Sequence, residues 1–173
     1  GAAPIASEVK RAMIEWWGPV LVEYWGATES GVATLVESAE WLAHPGTVGK
    51  ATASFEAFAA DDAGKRLPPG EVGTLYLRHK KLSKPFEYHL ACAKTGEAYL
   101  DGGAFTIGDI GRVDADGYVY LADRKSHTII SGGVNIYPQE AENLLITHPK
   151  VMDCAVFGVP NDDFGEEVKA VVQ

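Results

Sequence analysis

Cysteine, clustered histidine, long apolar runs and positive charge are all scarce in this sequence, and each shortage removes a class of function. The only cysteines are Cys92 and Cys154, without the close CxxC-type spacing of a zinc knuckle or a disulfide framework. Cys154 sits in the apolar run VMDCAVFGV, which predicts a buried thiol rather than a reactive one. The histidines at 44, 79, 89, 127 and 148 fall singly and no HExxH motif occurs, so a histidine-built metal centre is not indicated. The most apolar stretch, Val151 to Val159, is far shorter than the roughly 20 residues of a membrane helix, and no basic-then-apolar leader opens the chain. A cytoplasmic protein without a membrane span is expected. Against 24 Asp+Glu there are 15 Lys+Arg, a formal net charge of -9 that repels phosphate backbones and anionic membranes. Nucleic acid is therefore not an expected partner.

What is present fits a globular protein of one or two modest domains: 173 residues, 46% hydrophobic and 23% charged. Ser7 to Trp17 places Val9, Ala12, Met13, Trp16 and Trp17 at helical spacing, with Ser7 as N-cap and Gly18-Pro19 as stop. Val20 to Tyr24 reads as a strand, and the turn-rich YWGATESG follows at its carboxyl end, where ligands bind in α/β sheets. From about Gly46 the texture is β-like: Ser54 to Ala59 and Thr74 to Arg78 flank DDAGKRLPPGEVG, which implies a small antiparallel sheet or barrel. Lys84 to Leu100 reads as an amphipathic helix with Phe86, Leu90 and Ala93 on its apolar face.

Phe105 to Val113 and Tyr118 to Ala122 flank DADG, whose Asp and Gly suit a hairpin turn. A second β pair using His127 to Ser131 follows. After the GGVNIY loop, Pro138 suits the first position of a helix whose face runs Ala141, Leu144, Leu145, His148. Val151 to Val159 and Val168 to Val172 complete the reading as strands. The pattern changes near Asp123 and Arg124, which predicts a two-lobe chain joined without a flexible linker.

Three segments hold residues suited to chemistry. In YWGATES, Gly26 permits close backbone approach, Thr28 offers a hydroxyl to phosphate, Glu29 a hard oxygen to Mg²⁺, and Trp25 a flat face to a base. The same seven residues also make an ordinary surface turn. Asp109, after Gly108, suits either the two hydroxyls of a ribose or a turn cap. Arg124 suits ribose or phosphate, or else a plain ion pair with Asp123. Gly132 and Gly133 suit a tight turn or the wall of a narrow passage.

Taken in order, YWGATE, GEVGTLYLR, IGDIGRVDADGYVYLADRK and IISGGVNIYPQEAEN closely resemble the adenylate-forming superfamily, which includes acyl-CoA synthetases, luciferases and peptide-synthetase adenylation domains. The resemblance runs through nearly all of the chain, and SGGVNIYPQE looks most like fatty-acyl or related carboxylic-acid CoA ligases. It implies an α+β fold: residues 1–123 as the β-rich, distorted barrel-like end of a large AMP-binding domain, and residues 124–173 as the first part of a small, mobile α+β C-terminal domain. It implies activation of a carboxylic acid, a fatty acid among the candidates, by ATP to acyl-AMP, followed by transfer to coenzyme A. The alternative is a non-catalytic nucleotide-binding or regulatory module. Oligomeric state is left open.

Carried over position by position, Gly1, Ala2 and Ala3 resemble the loop beside the adenine. Trp25, with Gly26, stands where an aromatic stacks on that base. Thr28 and Glu29 resemble the catalytic pair, on phosphate and on Mg²⁺. Asp109 and Arg124 resemble the ribose-binding pair, and Gly132 and Gly133 the loop that swings toward the CoA tunnel. Departures are equally definite: the sequence contains neither the family's Gly/Ser/Thr-rich phosphate loop nor its C-terminal catalytic lysine, so a fragment inactive by itself is expected. Ile107 replaces the commoner Thr, and the resemblance puts the hinge at either Ser126 or the adjacent Lys125, where Asp or Lys is usual.

Overall fold

Strand-length apolar patterns dominate residues 22 to 124, and the computed structural model, which describes residues 5–173, turns them into one eight-stranded sheet. Its strands are β1 (Val22–Ala27), β2 (Gly31–Glu37), β3 (Thr47–Ala51), β4 (Phe55–Ala60), β5 (Gly73–His79), β6 (Ala104–Phe105), β7 (Asp109–Val113) and β8 (Tyr118–Arg124). They lie in the order β1-β2-β3-β8-β7-β5-β4, with β6 against β5, and the sheet curls into a half-barrel. Trp25, Phe55, Leu75, Leu77, Phe105 and Val119 fill its main core. Closed aromatic packing at 5.1 Å between Phe86 and both Tyr99 and Phe105 seals one flank.

By internal packing the chain divides into Gly1–Leu121 and Ala122–Gln173. The strand-rich α+β class is as expected, and so are the strands at 55–60, 73–79, 109–113 and 118–124. The DADG hairpin forms as its chemistry requires: Asp114 Oδ1 accepts the amides of Asp116 at 3.0 Å and Tyr118 at 2.8 Å, and Gly117 takes φ 87°.

Three expectations in the first unit are corrected. Helix α1 spans Ser7–Trp17, but its cap is Ala6, without a side-chain bond, and Ser7 is already helical. Its inward face is Lys10 and Ile14, one turn apart, while Trp16 is 77% exposed and Trp17 54%. Lys10 lies inward because its ammonium meets Glu23 at 2.6 Å while its stem covers apolar surface. The turn expected over 24–30 shrinks to Thr28–Ser30, the tip of an antiparallel β1–β2 hairpin, not the mouth of a parallel sheet. The helix expected over 84–100 is only α3 (Cys92–Ala98): Leu90 adopts φ 52°, which breaks the helical path, and is 91% exposed. Between β2 and β3 a short helix, α2 (Ser38–Ala43), buries Trp41 against Ile14 and Val36.

The second unit begins with a 3₁₀ turn at Lys125–His127, then β9 (Ile129–Ser131), β10 (Val134–Ile136), α4 (Pro138–Leu145), β11 (Cys154–Asn161) and β12 (Gly165–Val172). Its sheet order is β10-β9-β12-β11. Pro138 opens α4 as expected and is its buried residue; of the expected face Ala141 and Leu145 are half-buried, whereas Leu144 is 73% exposed and His148 is also exposed. Glu142 ties α4 to β11 by accepting the Val156 amide at 2.8 Å. Cys154 is half-buried rather than buried, and desolvation with the charges of Glu142 and Asp153 pushes its thiol up, away from the reactive thiolate. Asp123 sends its carboxylate to backbone amides, Arg124 N at 2.6 Å and Gln139 N at 3.0 Å, the latter in the first turn of α4.

Candidate functional site

The β1–β2 hairpin is shaped by one missing side chain. Between Trp25↔Thr34 and Gly26↔Val32 the register slips, leaving Ala33 as an extra residue on β2. Gly26 is required there because a Cβ on it would stand 1.8 Å from the Gly31 carbonyl oxygen, a backbone atom that cannot step aside. The bulge turns both Ala33 and Thr34 inward, each fully buried. Thr34 Oγ1 accepts the Trp25 amide at 3.2 Å and donates to Val48 O at 2.5 Å, locking three strands together.

Trp25 is thereby held in the core at 5% exposure, and its indole N–H donates to Asp109 Oδ2 at 2.6 Å. The indole ring packs among core residues, and its polar edge serves Asp109. Asp109 opens β7 after Gly108, whose φ of 86° makes the corner and whose amide is accepted by Thr106 Oγ1 at 3.0 Å. At 6% exposure the carboxylate shows little of itself.

Thr28 is exposed at the hairpin tip, and Glu29 beside it is half-buried. Glu29 Oε1 accepts the phenol O–H of Tyr88 at 2.9 Å. Tyr88 was not signalled by the sequence, where it fell inside the misread helix. Burial first, then the hydrogen bond to Glu29 and its charge, push the phenol up, so it stays a donor. Tyr88 also lines a cleft of about 560 Å³ together with Ser83, His89, Thr95, Tyr99 and Gly103. A smaller cavity of about 100 Å³ lies under α1, beside Lys10, Glu23 and Trp41.

In the second unit Arg124 is exposed at the end of β8. Gly132 and Gly133, with φ 57° and 81°, form the two-residue turn between Ser131 and Val134, which alone demands glycine-like residues. Gly1, Ala2 and Ala3 lie outside the described residues. The structure thus joins Trp25 to Asp109, and Glu29 to a residue the motifs did not name.

Among the described residues no three His, Cys, Asp or Glu side chains gather as a metal cage. Glu29 still suits Mg²⁺, which takes one or two carboxylates and completes its shell with water and phosphate oxygens. Its Oε1 is occupied by a donor and its Oε2 receives no hydrogen bond among the described residues. No described helix is long and apolar enough to cross a membrane.

Residues 1–86 match the AMP-binding enzyme family, and residues 140–173 match the AMP-binding enzyme C-terminal domain. A feruloyl-CoA synthase of Amycolatopsis is 36% identical over 99% of this chain and 34% of its own length. The long-chain-fatty-acid–CoA ligase of Bacillus subtilis is 35% identical over 99% of this chain and 30% of its own. Among solved structures, o-succinylbenzoate CoA synthetase from Bacillus subtilis, in complex with its acyl-adenylate intermediate, superposes with a TM-score of 0.85 at 28% identity, covering 99% of this chain and 35% of that one. The chain therefore spans about a third of the length of the relatives it matches. With both family models matched in order and a solved relative superposing over 99% of this chain, the chain belongs to the AMP-binding, adenylate-forming enzymes.

Proposed function

We propose that these residues form part of an ATP-dependent acyl-CoA ligase: 1–123 the later part of its adenylation domain, 124–173 the beginning of its C-terminal domain. The complete enzyme activates a carboxylic acid as acyl-AMP and passes the acyl group to coenzyme A, in a cytoplasmic setting. The observation that carries this reading is the Trp25–Asp109 hydrogen bond, which unites two motifs 84 residues apart.

In this reading the acid's carboxylate attacks the α-phosphorus of ATP and pyrophosphate leaves; the CoA thiol then displaces AMP from the acyl carbon. Asp109 receives the ribose hydroxyls, held in place by the indole behind it, and contributes position. Thr28, exposed beside Glu29, donates its hydroxyl to a phosphate oxygen. Mg²⁺, when bound at Glu29, neutralises charge that builds on the phosphates. Arg124 and the Gly132-Gly133 turn serve the second unit's part of the cycle, toward ribose and CoA. Gly1, Ala2 and Ala3 are assigned to the adenine loop by resemblance.

Pyrophosphate–ATP exchange tests the proposal. The 173 residues alone, lacking a Gly/Ser/Thr-rich phosphate loop in their sequence, are expected to give none. A longer protein that carries them is expected to exchange with aliphatic or aromatic acids and to lose exchange on Asp109→Ala. Exchange by the 173 residues alone would overturn the assignment, and AMP binding without exchange by the longer protein would favour a regulatory module.

A further inference from the structure

We propose that Tyr88 is a positioning residue for Glu29, setting by its donated hydrogen bond which carboxylate oxygen is presented to a divalent cation on bound nucleotide. The inference rests on the reading of Glu29 as the metal-facing carboxylate. The hairpin tip is short and partly exposed, and a glutamate there has three side-chain torsions to settle. In the structure one contact settles them: the Tyr88 O–H on Oε1 at 2.9 Å.

Tyr88 is itself fixed from three directions. Its amide donates to Thr95 Oγ1 at 2.9 Å, and Thr95 in turn donates to Ala91 O at 3.0 Å. One ring contact is Phe86, edge-to-face at 5.2 Å, and another is the Lys94 ammonium, 4.4 Å from the ring centroid. The buried side chain of Thr95 anchors this group to α3. A rigid phenol thus addresses a carboxylate across 59 residues of chain. The arrangement keeps Oε1 for the phenol and Oε2 for the cation, so the metal meets a prepared oxygen instead of ordering the side chain itself.

The test uses the longer protein that carries this chain, with Mn²⁺ as probe in the presence of ATP, read by electron paramagnetic resonance. Tyr88→Phe removes one oxygen and keeps the ring; Mn²⁺ affinity is expected to fall about tenfold. Glu29→Gln is expected to weaken it further, and Tyr88→Phe added to Glu29→Gln to cost almost nothing more. Unchanged affinity in Tyr88→Phe with weakened affinity in Glu29→Gln overturns the positioning role alone. Unchanged affinity in Glu29→Gln overturns the metal reading beneath it.

Discussion

Trp25 and Asp109 touch although three strands, β2, β3 and β8, separate theirs in the sheet order. On a flat sheet strands four places apart would stand about 19 Å from one another. The 2.6 Å bond is therefore a direct consequence of curling, and it closes the half-barrel at the point where two motifs meet. Trp25→Phe should leave a buried carboxylate short of a donor and cost about 2 kcal/mol. Urea unfolding of the wild type, Trp25→Phe, Asp109→Asn and the double variant gives the coupling; additive losses would show that the bond contributes nothing of its own.

Glycine at 26 and glycine at 133 differ in kind. Gly26→Ala drives a Cβ into a backbone oxygen and should cost about 3 kcal/mol or more. Gly133, at φ 81° with open space around it, needs only a tolerance of the left-handed region, so Gly133→Asn should stay within about 0.5 kcal/mol while Gly133→Val costs about 1–2. Thermal melts rank the three, and an equal loss for both alanine-sized and asparagine changes would contradict the distinction.

Alkaline stability should register Tyr118. Its O–H donates to Glu40 Oε1 at 2.8 Å, and that bond first, then burial and the nearby carboxylates, push the phenol from its ordinary 10 up to about 12. Because the raised value favours the protonated phenol in the folded state, its contribution is complete below 10 and is lost as pH rises through about 12. Denaturant unfolding across this window should show a steeper decline in wild type than in Glu40→Gln; parallel curves would remove Glu40 as the cause.

The exposed pair Trp16–Trp17, stacked at 5.0 Å, contributes little to the fold as it stands. Trp16→Lys with Trp17→Lys should leave stability within about 0.5 kcal/mol and reduce self-association in sedimentation velocity. A large loss of stability would place these rings in a core after all.

The sequence displayed the strands at 55–60 and 73–79 and the DADG hairpin because their determinants are local: alternation, and an aspartate with a glycine at turn positions. It misplaced the buried face of α1, since hydrophobicity favours Trp16 over Lys10 and nothing local reveals that Glu23 awaits the ammonium. Leu90 was read as helical for the same reason; its left-handed φ has no side-chain signature. Trp25, Glu29 and Asp109 stood out by type, but the bond between the first and last depends on curvature, and Tyr88 on a long-range approach, neither of which periodicity encodes.

The bulge at Ala33 carries one further implication. By inserting a residue opposite Gly26 it rotates the last rungs of the ladder and so aims Thr28 and Glu29. In a saturation library, position 26 should consequently register as intolerant for reasons of orientation, whether or not any ligand touches it. The aim of an acidic side chain three places along is inherited from a methyl group that the chain cannot accommodate.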